Sequence, residues 1–445
     1  MTKEFILGLI HQGRLADART WITQINVVDI ANWLEELDGN DLLVVFRLLP
    51  KDLAAEVFSY VSKEQQEFII ESITDREIKS IIDELFLDDT VDLIEEMPAN
   101  VVKKVLKNTS EERRKLINQF LKYPENSAGS LMTIEVVDLK KEMRVDQALE
   151  YIRRIGLDKE TINVCYVMDK NRKLEGIIPI RKLILSEPDE TIENIMETNI
   201  ISVHTLDDQE DIANIFRKYD LLAIPVVDKE GRLVGIITID DIVDIIEQEN
   251  TEDFQRMAAM QPSDEEYLKT SVVELAKHRV TWLLILMLSA TLTGSIIQKY
   301  QDVLYSVAIL TSFIPMLMDT AGNAGSQSAT LIIRGLALEE INLNDILRVM
   351  WKELRISILV GIVLAVINFA RILIMQQASV WVAATVSFSM IITVILAKVI
   401  GGSFPILAKK IGLDPAIMAG PLITTIVDAL ALTAYFSIAS WILGI

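Results

Sequence analysis

Gly420-Pro421-Leu422-Ile423-Thr424-Thr425-Ile426-Val427-Asp428 lies in an apolar stretch, 415–445, whose only formal charge is Asp428. A carboxylate in mid-bilayer costs at least ~2.5–3.5 kcal/mol on insertion scales, and such acids normally face a polar interior or a water-filled path. Asp428 therefore reads either as part of a polar path or as a protonated acid packed between helices. Pro421 and the two threonines are expected to open or hydrate the local backbone. Four further stretches resemble this one: 280–297 is uncharged, 303–333 carries only Asp319, 356–370 is apolar up to Arg371, and 378–408 carries only Lys398. A bilayer core takes roughly 20 helical residues, so five spans are expected. Five buried core helices of a soluble protein in succession would be improbable. Lys398 either snorkels or pairs with an acid. Asp319-Thr320-Ala321-Gly322-Asn323-Ala324-Gly325-Ser326-Gln327-Ser328 offers small residues for close helix packing and polar ones for lining a pore.

Charge separates this half of the chain from the rest. The 445 residues hold 43 Lys+Arg against 64 Asp+Glu, net −21. From Val280 onward nine basic residues meet eight acidic ones, leaving −22 on residues 1–279. A surface of that sign argues against a nucleic-acid partner, whose phosphates need the opposite charge. Lys277, Arg279, Arg334, Arg348, Lys352, Arg355, Lys409 and Lys410 flank the spans on one side, against Lys299 and Arg371 on the other. This asymmetry predicts cytoplasmic N-terminal domains and an extracellular or periplasmic C-terminus. The N-terminus lacks the order of a cleaved signal. Cys165 is the only cysteine, which excludes a disulfide framework and a multi-cysteine metal site within one chain.

From Leu7 to Tyr123 apolar residues recur at helical spacing, punctuated as in Leu49-Pro50-Lys51-Asp52 and Met97-Pro98-Ala99-Asn100. Helices of about three turns cannot bury a face alone, so they are expected to stack as an array. After Tyr123-Pro124-Glu125-Asn126-Ser127-Ala128-Gly129 the pattern alternates helix with strand, twice. Val167-Met168-Asp169-Lys170 through Leu174-Glu175-Gly176-Ile177-Ile178 returns 59 residues later as Val226-Val227-Asp228-Lys229 through Leu233-Val234-Gly235-Ile236-Ile237. Apolar runs on both sides of a turn read as paired strands. The two units, opened by Met132 and Met196, resemble a tandem of cystathionine-β-synthase-type (CBS) domains. That resemblance implies a ligand-sensing module in which a Thr and an Asp three residues later commonly hold ribose. The second copy has Thr238 and Asp241, a candidate site for ATP, whereas the first has Pro179 and Lys182 in those places. The alternative is that Thr238 and Asp241 only cap the next helix.

With this order of parts the chain closely resembles the MgtE family of magnesium channels over essentially its full length. The resemblance is carried by 123–129, the CBS pair, Gly322 to Thr330, Asp414-Pro415-Ala416, and Pro421 with Asp428. It implies an acidic, armadillo-like helical domain at 1–125, CBS domains at 126–190 and 191–245, a connecting plug helix at 246–275, and five transmembrane helices at 276–445. It further implies a homodimer in the lipid bilayer with the pore between subunits, passive Mg2+ entry, and closure when intracellular Mg2+ is high. Pore ligands would be Asp428, Asp414, Asn323, Ser326 and Thr425. At Gly420, where some members carry an asparagine at the pore mouth, this chain departs from the pattern.

Mg2+ demands near-octahedral oxygen coordination and gives up water reluctantly, so carboxylates and carbonyls can hold it hydrated. One Asp428 per chain forms no ring, which argues separately for a dimer. Regulatory Mg2+ is implied at Asp241, Asp244, Glu249, Glu252 and Asp253 of the connecting segment, at Asp208, Glu210 and Asp220 of the second CBS unit, and at Glu56, Asp88 and Asp92 of the helical domain. Asp241, Asp244 and Glu252 share one helical face; a merely solvated acidic face is the alternative for each group. No catalytic chemistry is expected. The rival transport reading is a secondary carrier for divalent cations coupled to H+ or Na+.

Overall fold

The computed structural model describes residues 3–263, 267–268 and 270–444, so 264–266 and 269 of the expected 246–275 connecting segment lie outside the described residues. Two compact units, Met1–Ile246 and Glu247–Ile445, make up the chain.

The first unit begins with ten short helices: Lys3–His11, Leu15–Ile22, Val27–Glu35, Gly39–Leu48, Lys51–Tyr60, Lys63–Ser72, Asp75–Glu84, Leu87–Glu96, Ala99–Asn108 and Glu111–Phe120 (α1–α10). Punctuation residues set their starts. Asn26, Thr74 and Ser110 accept hydrogen bonds from first-turn backbone N–H groups, while Pro50 and Pro98 precede α5 and α9. None of these helices exceeds ten residues, and each buries its apolar face in one shared core that includes Ile30, Phe58, Ile82 and Val105.

The CBS pair follows. In the first copy, after the short helix α11 (Ala128–Leu131), β1 (Asp138–Leu139), α12 (Val145–Ile155), β2 (Val164–Met168), β3 (Leu174–Pro179) and α13 (Ile180–Leu185) form a three-stranded sheet with its helices. In the second, α14 (Ile192–Ile195), β4 (Val203–His204), α15 (Gln209–Tyr219), β5 (Ala223–Val227), β6 (Leu233–Thr238) and α16 (Ile239–Met257) repeat that order. Each sheet has a parallel and an antiparallel pair, and the repeated segments form the antiparallel pairs. The copies exchange edge residues: Thr133 bridges Ile236 and Glu197 bridges Ile177. This explains the glycine in each repeat. A Cβ on Gly235 would lie 2.4 Å from Thr133 O, and one on Gly176 2.7 Å from Met196 Sδ. Buried Cys165 has its thiol pushed up to about 12 by that burial, consistent with a packing role.

The second unit contains α17 (Val272–Lys299), α18 (Gln301–Ser306), α19 (Ile314–Ala337), α20 (Ile346–Arg371), α21 (Val380–Lys410) and α22 (Gly420–Leu443). Five of these have 24 to 31 residues. Among the described residues four segments, Val272–Lys299, Leu343–Gln376, Val380–Lys410 and Pro415–Leu443, are long and apolar enough to cross a membrane. α19 has the length but not the uniform apolarity.

Several expected boundaries change: the connecting helix expected at 246–275 is not continuous, since α16 ends at Met257 and α17 starts at Val272, eight residues ahead of the expected 280. The 303–333 stretch is broken into α18, a 3-10 turn (Ala308–Phe313) and α19. α20 begins ten residues ahead of the expected 356, which places Arg348, Lys352, Glu353 and Arg355 on the helix itself. Pro421 occupies the first turn of α22 and does not interrupt it. The Thr424 and Thr425 hydroxyls donate to its carbonyl at 2.8 and 2.9 Å.

Overpacking the exchanged edge should be costly. Gly235→Ala is expected to destabilise the first unit by ~1–3 kcal/mol, whereas Gly8→Ala, with nothing within 4 Å in α1, should be neutral or slightly stabilising. Hydrogen exchange in β5 and β6 reads the difference, and equal protection in both variants would contradict the packing argument.

Candidate cation pathway and acidic clusters

α19 separates its two kinds of residue by face. Ala321, Gly322, Ala324, Gly325 and Ser328 are buried, while Asp319, Asn323 and Gln327, four residues apart, are exposed on the chain's own surface. The buried face reaches backbone contact. A Cβ on Gly401 of α21 would stand 2.2 Å from Gly325 O, and one on Gly325 would meet Ile423 of α22 at 3.0 Å. Close packing thus accounts for the buried face of the 319–328 stretch, and its opposite face is polar and exposed. Asp428, half-buried on α22, has Asp319 as its charged neighbour, and its Oδ1 is buried without a hydrogen-bond partner among the described residues. Ser326 and Thr425 are half-buried.

Asp414 is engaged elsewhere. It caps the 3-10 turn Pro415–Met418, accepting from Ala416 N at 2.7 Å, and its other oxygen meets the Arg256 guanidinium, which also pairs with Glu252. Burial, with Asp414 and Glu249 close by, pushes Asp253 up to about 6 despite Arg256. The C-terminal half of α16 therefore lies against the segment leading into α22. Gly420 belongs to this contact: its φ is +45°, and a Cβ there would sit 2.5 Å from Met257 O. A side chain at this position, such as an asparagine, could not be accommodated without moving α16.

In the first unit, acids from three regions converge. Asp88 and Asp89 of α8 face Asp240 and Asp241 of α16, with Glu135 and Glu160 of the first CBS unit alongside. Burial, then the like charges of Asp89, Asp241 and Glu160, hold Asp88 well above the usual carboxylate range. Burial with the charges of Asp240 and Glu135 pushes Asp89 up to about 6, and burial with Asp241 and Asp240 pushes Glu160 up to about 8. Asp241 rises to about 6 through burial although the Thr238 hydroxyl donates to its Oδ2 at 2.9 Å. Asp92, at the open edge of the group, rises to about 7 as the surrounding chain limits its hydration and Asp89 and Glu96 add charge. Glu56 and Asp244 join from the side, both acting with Asp240 on the Tyr60 phenol.

Asp208, by contrast, caps α15 by accepting from Glu210 N at 2.9 Å, and Asp220 ends the same helix in the left-handed region at φ 50°. Among the described residues no three Asp, Glu, His or Cys side chains stand together closely enough to hold an ion. The crowded carboxylates of α8 and α16 have the right donor chemistry, but they would have to draw together to ligate one. Sequence reading missed Glu135, Glu160 and Arg256, because their approach to these acids depends on tertiary packing.

Raised carboxylates bind protons more tightly folded than unfolded, so the first unit loses stability as pH rises from about 4 to about 8. Without divalent ions its thermal midpoint should be higher at pH 5.5 than at pH 8 by roughly 5 °C, the effect of about 2 kcal/mol in a unit of this size. Millimolar Mg2+ should recover most of that at pH 8 and little at pH 5.5. Hydrogen exchange in α5 and α8 during heating measures it, and a flat profile would contradict the clustering.

Comparison with known proteins identifies the parts of the chain. Residues 314–438 match the MgtE divalent cation transporter family, 25–126 the MgtE intracellular N domain, and 192–248 the CBS domain. The magnesium transporter MgtE of Thermus thermophilus is 36% identical over 439 residues, covering 98% of this chain and 97% of that one. The MgtE of Bacillus subtilis is 33% identical over 435 residues, covering 98% and 96%. Among solved structures, the cytosolic domain of the Mg2+ channel MgtE in complex with ATP has 34% identity and a TM-score of 0.51, covering 54% of this chain and 98% of that one. The soluble part of a magnesium transporter has 29% identity and a TM-score of 0.53, covering 55% and 97%. Both full-length relatives are named as transporters, not enzymes. Matched along 98% of its length to such a relative, and assembled from the same N domain, CBS domain and transporter segments, the chain is a multi-pass membrane protein and belongs to the MgtE family of divalent cation transporters.

Proposed function

We propose that this chain is a Mg2+-conducting channel that acts as a homodimer and is closed by cytoplasmic Mg2+. The observation carrying the proposal is the exposed polar line Asp319, Asn323 and Gln327 on α19, beside the unpartnered oxygen of Asp428. Exposed polar groups at membrane depth must face water or another subunit. A second copy placed against this line would enclose it and set two Asp428 carboxylates across a shared path. Two carboxylates with carbonyl and hydroxyl oxygens suit a hydrated Mg2+, the ion named for the relatives. Asn323, Ser326 and Thr425 would supply the neutral oxygens, with Asp414 at the inner entrance. The basic flanks Lys277, Arg279, Arg348, Lys352, Lys409 and Lys410 favour cytoplasmic N-terminal domains and an outside C-terminus.

The regulatory half of the proposal rests on repulsion. In low Mg2+ the acids of residues 1–125, of the second CBS unit (191–245) and of the 246–275 segment push apart. Mg2+ bridging Glu56, Asp88, Asp92, Asp241 and Asp244, with Glu249, Glu252 and Asp253 of the 246–275 segment and Asp208, Glu210 and Asp220 on α15, would draw these parts together. Such ions act as ligands of the closed state, and their effect is limited by their preference for it. Thr238 and Asp241 are the residues that would hold the ribose of ATP, using the carboxylate that now accepts from Thr238. The solved relative with ATP supports that reading.

Asp428→Asn, nearly isosteric, should lower Mg2+ uptake into cells or vesicles at least about tenfold, the equivalent of ~1.4 kcal/mol, with insertion and dimerisation retained. Wild-type uptake by a folded Asn variant would reduce Asp428 to a packing role. The triple variant Asp241→Ala, Asp244→Ala, Glu252→Ala removes both bridging oxygens and repulsion. Loss of bridging should dominate, because residual repulsion is screened beyond about 8 Å. It should keep conducting at cytoplasmic Mg2+ that closes the wild type; closure over the unchanged range would mean these acids are not the sensor.

A further inference from the structure

A second buried polar group lies in the membrane unit, built by three helices. Lys398 of α21 and Glu353 of α20 are each 6% exposed and Ser328 of α19 is 1% exposed. The Ser328 hydroxyl donates to Glu353 Oε2 at 2.6 Å, and Lys398 Nζ stands 3.5 Å from both Ser328 Oγ and Gln327 Oε1. One hydroxyl therefore separates an acid from a base, and a bond that short has the length of a charge-assisted one. Gly402 makes the room: a Cβ there would fall 2.9 Å from Glu353 Cγ. Its neighbour Gly401 lets α19 and α21 touch through their backbones. Two adjacent glycines inside a helix are unfavourable alone, and here each admits one partner.

The group also borders the cation path. Gln327 ends the exposed polar line of α19. A Cβ on Gly325 would lie 3.3 Å from Ala397 O and 3.5 Å from Val427 Cγ2. Lys398 and Asp428 are the next residues after these two, so a fixed positive charge shares a helix layer with the acid assigned to the permeant ion. Uncompensated, it would oppose a cation there.

We propose that Glu353 is the internal counter-ion of Lys398, and that this pairing, bridged by Ser328, keeps the lysine from cancelling the attraction of Asp428 for a cation. The proposal rests on the reading of Asp428 given above. Glu353 is thus a positioning residue that acts through Lys398 and touches no ion.

The test is Mg2+ uptake per folded dimer, with Asp428→Asn as reference. Glu353→Gln should lose about tenfold in uptake, Lys398→Gln should retain wild-type uptake or exceed it, and the double variant should return to within about twofold of wild type. A purely structural pair predicts something else, since removing either partner strands a buried charge and both single variants should fail alike. If Glu353→Gln does not fold alone, the comparison is made in the Lys398→Gln background, where adding Glu353→Gln must be silent. Equal losses in the two single variants, or a Glu353→Gln loss persisting in the double variant, would overturn the proposal. An Asp428→Asn variant that conducts like wild type would instead remove its premise.

Discussion

A carboxylate cannot rest in hydrocarbon without water, a proton or a counter-charge. Much of the membrane unit is organised around that constraint. Asp428 has an oxygen with no hydrogen-bond partner among the described residues and an acid, Asp319, for a neighbour. Neither feature would be stable against lipid. Both become reasonable when a second subunit closes a water-filled path over them, which is why the dimer and the path form a single proposal.

The remaining features of the unit hold that arrangement. α19 has to bring its polar line beside α22, and it does so through Gly325 and Gly401, where the helices meet backbone to backbone. Lys398 and Glu353, the other buried charges, are held on either side of Ser328. In the first unit the same electrostatics work in the opposite sense. Asp88, Asp89, Asp241 and Glu160 are crowded enough to retain protons well above ordinary carboxylate pH. A divalent cation could replace those protons, so on the proposed reading the crowding that weakens this unit at neutral pH would also let it sense such an ion.

Local signals carried most of the architecture. Three-turn helices punctuated by proline and serine, two strand pairs repeated 59 residues apart, and long apolar runs are all readable along one dimension. The polar residue in mid-span was equally visible at Asp428. Glu353 was not: it lies next to Arg355 and Lys352 in a charged stretch that reads as a loop, and only the early start of α20 carries it into the bundle. Arg256 likewise looks like a solvated helix residue until the segment holding Asp414 packs beside it. The departure at Gly420 was legible as a difference, but its cause, the approach of Met257 O, depends on tertiary contact. What the sequence concealed were encounters between distant segments, which no spacing rule encodes.

The central claim is that ions move passively through a path that cytoplasmic Mg2+ closes. Single-channel recording from inside-out patches, with Mg2+ varied on the cytoplasmic face, tests it directly. Unitary currents that follow the Mg2+ gradient, need no H+ or Na+ gradient, and fall in open probability as cytoplasmic Mg2+ rises are the predicted result. Mg2+ flux without unitary currents, and dependent on an opposing H+ or Na+ gradient, would contradict the channel and favour a coupled carrier.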